Sequence, residues 1–295
     1  MKPAPFAYHR PKTIDEALAL FAEHGSDAKA LAGGQSLIPA MNFRLATPGM
    51  VVDLNALGEL DYVKSEAGGV LRVGAMTRHR TVERSDVVLK EAPLVHEVMP
   101  WIAHPAIRTR GTIGGSLAHA DPAAELPAVM VSVDARIAMR SRQGTREVPA
   151  TEFFTGLFST ALAGGEIVTE IAIPPAPRGL KRSWSFMEFS RRHGDFALAG
   201  VAVSVGLDDR GRCAHARIAL LSVGDRPMLA AQAAQVLVGQ PPSSETIRAA
   251  AATAADREID PSTDIHASSR YRRQLASVLT RRALERAFAR ASAPA

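Results

Sequence analysis

The sequence predicts an α+β protein built as two domains. Three observations carry that expectation. A chain of 295 residues is long for a single hydrophobic core. Its later part reads as a run of strands followed by a run of helices, the order expected of an antiparallel sheet with helices on one face. The proline-rich stretch Pro174-Pro175-Ala176-Pro177-Arg178-Gly179 separates the two patterned regions. We therefore expect domains at 1–177 and 178–295.

The elements follow in order. Phe6 to His9 has strand character. Thr13-Ile14-Asp15-Glu16 is a capping box, with a hydroxyl at the cap and a carboxylate three residues on. Ile14, Ala17, Leu18 and Phe21 then repeat at helical spacing until Gly25. Ala28 to Ala32 reads as a strand, Leu37 to Phe43 as a helical turn, and Met50 to Leu54 as a strand, which together make a small α+β or α/β unit. From Tyr62 the texture changes. Val70 to Ala75 is a strand, Thr77 to Arg84 and Ala92 to Ile102 are helical, and Ala124 to Val133 is helix or strand. Ala135 to Met139 and Ile167 to Ile173 alternate as strands do. After the proline-rich break, strands are expected at Trp184 to Phe189, Phe196 to Leu207 and Ala214 to Val223. Helices are expected near Ala230 to Val238, Ser244 to Ala255 and Ser268 to Ala289.

Two glycine-rich turns carry the chemistry: Leu31-Ala32-Gly33-Gly34-Gln35-Ser36 and Gly111-Thr112-Ile113-Gly114-Gly115-Ser116. Paired glycines let a backbone approach a ligand closely and turn its N–H groups outward. Ser36, Thr112 and Ser116 add short hydroxyls. Brought together, two such turns could hold a doubly charged group such as a pyrophosphate. Each alone also reads as a plain tight connection. There is no G-x-G-x-x-G and no G-x-x-x-x-G-K-[ST], so neither a Rossmann nucleotide site nor a P-loop is indicated.

Downstream, Asp121 and Glu125 are placed to accept hydrogen bonds from ribose hydroxyls. On local grounds, though, Asp121 reads rather as the cap of a helix begun by Pro122, with Glu125 in its first turn. His119 with those two carboxylates does not make a metal site, because a helix entered through Pro122 would not aim all three at one point. Arg191-Arg192-His193-Gly194-Asp195-Phe196 reads locally as a polar turn, and Trp101 and Met187 as packing residues. No spacing marks a nucleophile with its base.

Composition narrows the function class. Cys213 is the only cysteine, which excludes an internal disulfide and a cysteine-ligated iron–sulfur cluster within this chain alone. The net charge is +5, with Arg270, Arg272, Arg273, Arg281, Arg282, Arg286 and Arg290 concentrated near the C-terminus. Tyr271, Leu275, Val278 and Leu279 are spaced as the apolar face of that helix, leaving the arginines as a solvated or partner-docking face. No motif points to nucleic acid. Met1 to Pro5 has no apolar core of a signal peptide, and the run Phe196 to Val205 is too short to cross a bilayer, so a cytoplasmic protein is expected.

Four motifs in this order resemble one family: Ala32-Gly33-Gly34-Gln35-Ser36, Thr112-Ile113-Gly114-Gly115-Ser116, Ala120-Asp121-Pro122-Ala123-Ala124-Glu125 and Arg191-Arg192-His193-Gly194-Asp195-Phe196-Ala197. They resemble the FAD-binding medium subunit of molybdenum hydroxylases, of the carbon monoxide dehydrogenase medium-chain type. The same module is the middle domain of xanthine oxidoreductases. The resemblance implies a vanillyl-alcohol-oxidase (PCMH)-type FAD-binding domain in two lobes, about 1–57 and 58–177, then a smaller α+β C-terminal domain. It implies FAD between the lobes, lined by Lys29, Ala30, Leu31, Ala32, Gly33, Gly34, Gln35, Ser36 and Leu37. On the other side it implies Gly111, Thr112, Ile113, Gly114, Gly115, Ser116, Ala118 and His119. Asp121 and Glu125 would serve the adenosine ribose, and Ile102, Ala103, Ile107, Ile167 and Val168 would pack near the flavin.

The resemblance further implies partners: a small subunit with 2Fe–2S clusters and a large molybdopterin subunit, assembled as a dimer of heterotrimers. Electrons would reach FAD from the clusters and leave to an external acceptor, with no acid or base catalyst in this chain. Three positions depart from the pattern. Gln35 stands where the carbon monoxide enzyme has histidine, Ser116 where asparagine is frequent, and Met187 where the xanthine enzymes place a lysine near the flavin ring. The last leaves a quinone, NAD or another carrier open as the acceptor. A stand-alone flavin oxidoreductase of the same fold and a non-catalytic nucleotide-binding assembly module are the competing functions.

Overall fold

The computed structural model describes residues 2–293. The chain ends at Met1 and at Pro294–Ala295, which bound the two expected domains, lie outside the described residues. Three sheets of three, five and four strands and one two-stranded ribbon carry the architecture.

The first lobe is a small parallel sheet ordered β1-β3-β2, formed by β1 (Ala7–His9), β2 (Ala28–Leu31) and β3 (Met50–Asp53). The crossover helix α1 (Ile14–His24) starts as its capping box predicts. Thr13 Oγ1 accepts the Glu16 N–H at 3.2 Å, and the Glu16 carboxylate reaches back to the Lys12 N–H at 2.7 Å. Ile14, Ala17, Leu18 and Phe21 are its buried stripe. Gly25, at φ +52°, ends it with an N–H bonded to the Phe21 carbonyl. The short helix α2 (Leu37–Asn42) follows the first glycine stretch.

The second lobe is an antiparallel sheet ordered β4-β5-β10-β6-β7. Its strands are β4 (Val63–Ser65), β5 (Leu71–Gly74), β6 (Arg136–Ser141), β7 (Gly144–Pro149) and β10 (Ile167–Ile173). Between β5 and β6 run the helices α3 (His79–Glu83), α4 (Asp86–Glu91), α5 (Pro93–Val98), α6 (Pro105–Arg108), α7 (Ile113–His119) and α8 (Glu125–Ser132). Helix α9 (Ala150–Phe153) leads into the ribbon of β8 (Phe154–Gly156) and β9 (Ser159–Thr160). The edge strands β4 and β7 escape the sequence pattern because β7 is polar on both faces and exposed for most of its length.

The C-terminal unit is an antiparallel sheet, β11 (Lys181–Phe189), β12 (Ala199–Leu207), β13 (Cys213–Leu221) and β14 (Met228–Leu229). Helices α10 (Ala231–Leu237), α11 (Ser244–Arg257) and α12 (Ser269–Ser292) complete it. Its other face is not free: α5 and α8 of the second lobe lie on β11, β12 and β13. Alternate residues of β12 accordingly join different cores. Val201, Val203 and Val205 pack with the helices, and Ala202 packs with the second lobe. Burial on both faces is why this strand reads as an unbroken apolar run.

One expectation is corrected here. Of Tyr271, Leu275, Val278 and Leu279 only Leu279 is buried, and Tyr271 is exposed. The buried stripe of α12 is Arg272, Ala276, Leu279, Thr280, Ala283, Leu284, Ala287, Phe288 and Ala291. Alanines carry the contact because their size lets the helix approach β11 and β12 closely, so the large apolar residues mislead. Nor are the arginines simply solvated. Arg272 is buried, and Arg290 donates to Glu97 of α5 and to the Trp184 carbonyl, both at 2.8 Å.

Candidate functional site

The fold brings the two glycine stretches into contact. A Cβ on Gly33 would collide with the Arg110 carbonyl oxygen and lie 2.7 Å from Gly111 Cα. A Cβ on Gly115 would lie 2.7 Å from Thr112 Oγ1 and 3.2 Å from Ala32 Cβ. Gly114 is equally confined, with Ala75 Cα 2.8 Å from where its Cβ would be. Only glycine fits this junction, and the glycine at position 34 also takes φ +74°, where L side chains are strained.

A brace that the sequence did not reveal fixes the junction. Asn55 Nδ2 donates to the Ala32 carbonyl at 2.9 Å. Arg78 donates to Asn55 Oδ1 and, with its other amino group, to the Arg110 carbonyl. His79 Nε2 lies 2.9 Å from the Thr112 carbonyl, which can only accept, so this nitrogen carries the proton. Burial pushes His79 down to about 4, which keeps the ring neutral. These partners lie far from the glycines in sequence, and no local pattern marks them.

The two stretches are not equivalent. The sequence predicts a turn at the second, yet Thr112 caps a helix there, its Oγ1 accepting the Gly115 N–H at 3.1 Å. The N–H groups of Gly111, Ile113 and Gly114 are bonded to the carbonyls of Ile107, Thr77 and Ala75 at 2.8, 3.0 and 2.9 Å. In the first stretch, the N–H groups of Gly33, Gly34, Gln35 and Ser36 meet no protein acceptor among the described residues. Gln35 folds back through Nε2 onto the Gly33 carbonyl at 3.1 Å, and Ser36 is exposed with its hydroxyl unused. A run of unpaired N–H groups beside a left-handed glycine is an anion-binding nest. Lys29 and Ala30 are exposed on the sheet edge leading into it, with Leu31 and Leu37 half-buried at its ends.

The other expected residues distribute as follows. Ile102 is buried and Ala103 takes φ +44°, a backbone strain of about 1–2 kcal/mol. Arg108 holds that bend, bonding the Ile102 carbonyl at 2.9 Å while its fork grips Glu83 at 2.9 and 3.0 Å. Ile107 is half-buried. The C-terminal hairpin reaches this point: a Cβ on Gly194 would lie 2.9 Å from the Ala103 carbonyl oxygen and 2.8 Å from His104 Nδ1. Phe196, on the same hairpin, is 70% exposed. Ser116 is half-buried, Ala118 and His119 are exposed, and the His119 ring lies 5.2 Å from that of Phe158. Ile167 and Val168 are buried, the former in the first lobe's core and the latter in the second's.

Asp121 does not open a helix at Pro122. Its Oδ1 accepts the Ala123 N–H at 2.8 Å, closing a turn, and α8 begins at Glu125. The Pro122 carbonyl is thereby presented to Ser222 of the C-terminal unit, whose N–H bonds it at 2.7 Å. Glu125 is buried. That burial, helped by the charge of Asp121, raises its carboxyl to about 7.

Residues 4–176 match the family model described as FAD binding domain in molybdopterin dehydrogenase, and residues 184–287 match the CO dehydrogenase flavoprotein C-terminal domain. The chain is 42% identical to the 6-hydroxypseudooxynicotine dehydrogenase complex subunit alpha of Paenarthrobacter nicotinovorans, covering 99% of this chain and 97% of that one. Among solved structures it superposes on carbon monoxide dehydrogenase from Hydrogenophaga pseudoflava lacking the Mo-pyranopterin moiety, with a TM-score of 0.94 and 38% identity. That match covers 98% of this chain and 99% of the other. Quinoline 2-oxidoreductase from Pseudomonas putida 86 superposes with a TM-score of 0.93 and 39% identity, covering 99% and 100%.

Proposed function

The chain belongs to the FAD-binding medium-subunit family of molybdenum hydroxylases, and on that premise we propose that the glycine-lined junction seats the pyrophosphate of FAD. The observation that carries the assignment is the run of unpaired N–H groups from Gly33 to Ser36, held against Arg110–Gly111 where no side chain fits. When bound, FAD supplies the redox chemistry, taking electrons from a partner's 2Fe–2S clusters and releasing them to an external acceptor.

The chain's own residues bind and orient. Gly33, Gly34, Gln35 and Ser36 donate to the phosphates, and Asn55 and Arg78 keep the two stretches at contact distance. Glu125, with a carboxyl near 7, both donates to and accepts from the ribose hydroxyls, and Asp121 sets the turn that aims it. Ile102, Ala103 and Ile107 line the flavin, and Gly194 of the hairpin Arg191–Phe196 closes against Ala103 and His104.

Cys213 is the only cysteine, so the clusters belong to another chain. The partners are then a small iron–sulfur subunit and a large molybdopterin subunit in a dimer of heterotrimers. The large subunit selects the substrate, and a quinone, NAD or another carrier takes the electrons. Among the described residues no helix is long and apolar enough to cross a membrane, which supports placing the assembly in the cytoplasm. The boundary between the flavin-binding and C-terminal domains falls in the exposed segment around Pro177.

The test is the visible spectrum of the purified chain, alone and with co-expressed partners, before and after added FAD. Bound-flavin bands that vanish in Gly33→Val and Gly114→Val support the reading. A folded chain that takes up no flavin in either setting overturns it.

A further inference from the structure

Among the described residues, Glu188 is the carboxyl with a fully buried oxygen, Oε2, that meets no hydrogen-bond donor. It lies on β11, where alternate side chains take different sides. Trp184 and Phe186 pack with the second lobe, whereas Met187 packs with the C-terminal helices. Glu188 shares the direction of Trp184 and Phe186 and so points to the junction between the units. The Phe186 ring lies 5.8 Å from that of Trp101, next to Ile102 and Ala103. Further along the same hairpin, Gly194 rests on Ala103 and His104. From the start of α8, the Glu125 carboxylate acts on Glu188, which burial and that neighbour together raise to about 8. Gly200, opposite on β12, lets the chain pass close: a Cβ there would lie 3.0 Å from Glu188 Cβ.

Glu188 thus stands on the strand face that sets Phe186 against Trp101, with the ribose candidate Glu125 as its charged neighbour, and the hairpin that follows it rests on Ala103 and His104. An unpaired buried carboxyl is unfavourable to folding and persists where a ligand completes it. We propose that Glu188 is a further cofactor-contacting residue, whose buried Oε2 hydrogen-bonds a polar group of FAD where the C-terminal unit borders the crevice between the lobes. The inference rests on the FAD reading above. In its neutral form the carboxyl can donate its O–H without setting a second negative charge beside Glu125.

The experiment compares Glu188→Leu and Glu188→Gln in the full chain, alone and with co-expressed partners. FAD affinity is read by quenching of flavin fluorescence, and the melting temperature of the FAD-free chain is read separately. Glu188→Leu should melt higher than wild type without FAD, because the orphaned oxygen is gone. It should nevertheless bind FAD about threefold to tenfold more weakly, the worth of one neutral hydrogen bond. Glu188→Gln, which keeps a donor and an acceptor, should stay within about twofold of wild type. A Glu188→Leu chain that binds FAD as wild type does overturns the inference, as does weaker binding that merely follows a lower melting temperature in both variants. If the wild-type chain binds no flavin, the cofactor reading itself fails; flavin bound indifferently to Glu188 removes this inference alone.

Discussion

Replacing Gly33 by alanine tests the junction with one added carbon. The new Cβ would collide with the Arg110 carbonyl oxygen and lie 2.7 Å from Gly111 Cα and 2.9 Å from the Arg110 carbonyl carbon. Carbon atoms rest at about 3.5–4.0 Å, so the two stretches must part by about 1 Å. The obstacles are backbone atoms, held by Arg78 on Arg110 and by His79 on Thr112, and cannot rotate away. Parting the stretches also displaces the N–H groups of Gly33 to Ser36. Losing two hydrogen bonds to a charged phosphate, at about 1.5–3 kcal/mol each, weakens FAD binding by roughly two to four orders of magnitude. Folding stability falls by about 1–3 kcal/mol through overpacking. FAD titration followed by flavin fluorescence, with melting of the FAD-free chain alongside, separates the two effects. Gly58→Ala is the control, since nothing lies within 4 Å of its Cβ. A folded Gly33→Ala chain that binds FAD within about threefold of the control would refute the argument.

Three further outcomes are expected. Arg272 donates to the Leu198 carbonyl at 2.6 Å, to Ser222 O and Oγ at 3.1 and 3.0 Å, and to Asp264 at 2.6 Å; Arg272→Leu should cost about 2–4 kcal/mol in urea unfolding, Arg272→Lys less, and a loss below about 1 kcal/mol would show that this arginine does not fasten α12 to the ends of its own sheet. Glu125 and Glu188 stand at about 7 and about 8 when folded, above their ordinary 4.5, so the native chain holds protons that the unfolded chain releases, and their contribution to stability is whole below 4.5 and lost as pH rises through 7 and 8. His79, lowered to about 4 from 6.5, acts oppositely but only below 6.5. The FAD-free chain should therefore lose on the order of 2 kcal/mol between pH 6.5 and 8, which urea titrations at both pH values check and an unchanged midpoint would contradict. Burial pushes the Cys213 thiol up to about 11, so a thiol reagent at neutral pH should label it only after denaturant is added, and prompt labelling of the native chain would place it at the surface.

Much of the site was legible because its signals are local. Glycine pairs, hydroxyls and a capping box occupy consecutive positions, and their backbone requirements do not depend on distant residues. Thr13 and Glu16 behave as their spacing predicts, and Gly25 ends the helix where expected. The errors arise where a partner decides the outcome. The large apolar residues of helix α12 predict one buried face, yet close approach to the C-terminal sheet selects the alanines and draws in Arg272 to bond the carbonyls left at Leu198 and Ser222. The segment expected from Ala124 is helix from Glu125, but the alternative of a helix capped by Asp121 at Pro122 fails, because Asp121 bonds the Ala123 N–H to close a turn.

The sequence by itself determined the two glycine stretches, the lone cysteine and the strand and helix order. Backbone freedom, cysteine chemistry and hydrophobic period are all properties of the residues themselves. Tertiary structure alone decided that Ala32 and Gly33 touch Gly115 and Gly111, that Asn55 and Arg78 brace them, and that the N–H groups of Gly111, Ile113 and Gly114 are bonded while those of Gly33 to Ser36 meet no acceptor among the described residues. It also decided that Glu188 Oε2 is buried without a hydrogen-bond partner, close enough to Glu125 to feel its charge. Each of these is a contact between residues distant in the chain. Such contacts form only when separate sheets pack, because the low dielectric and close approach that give these groups their properties do not exist before then.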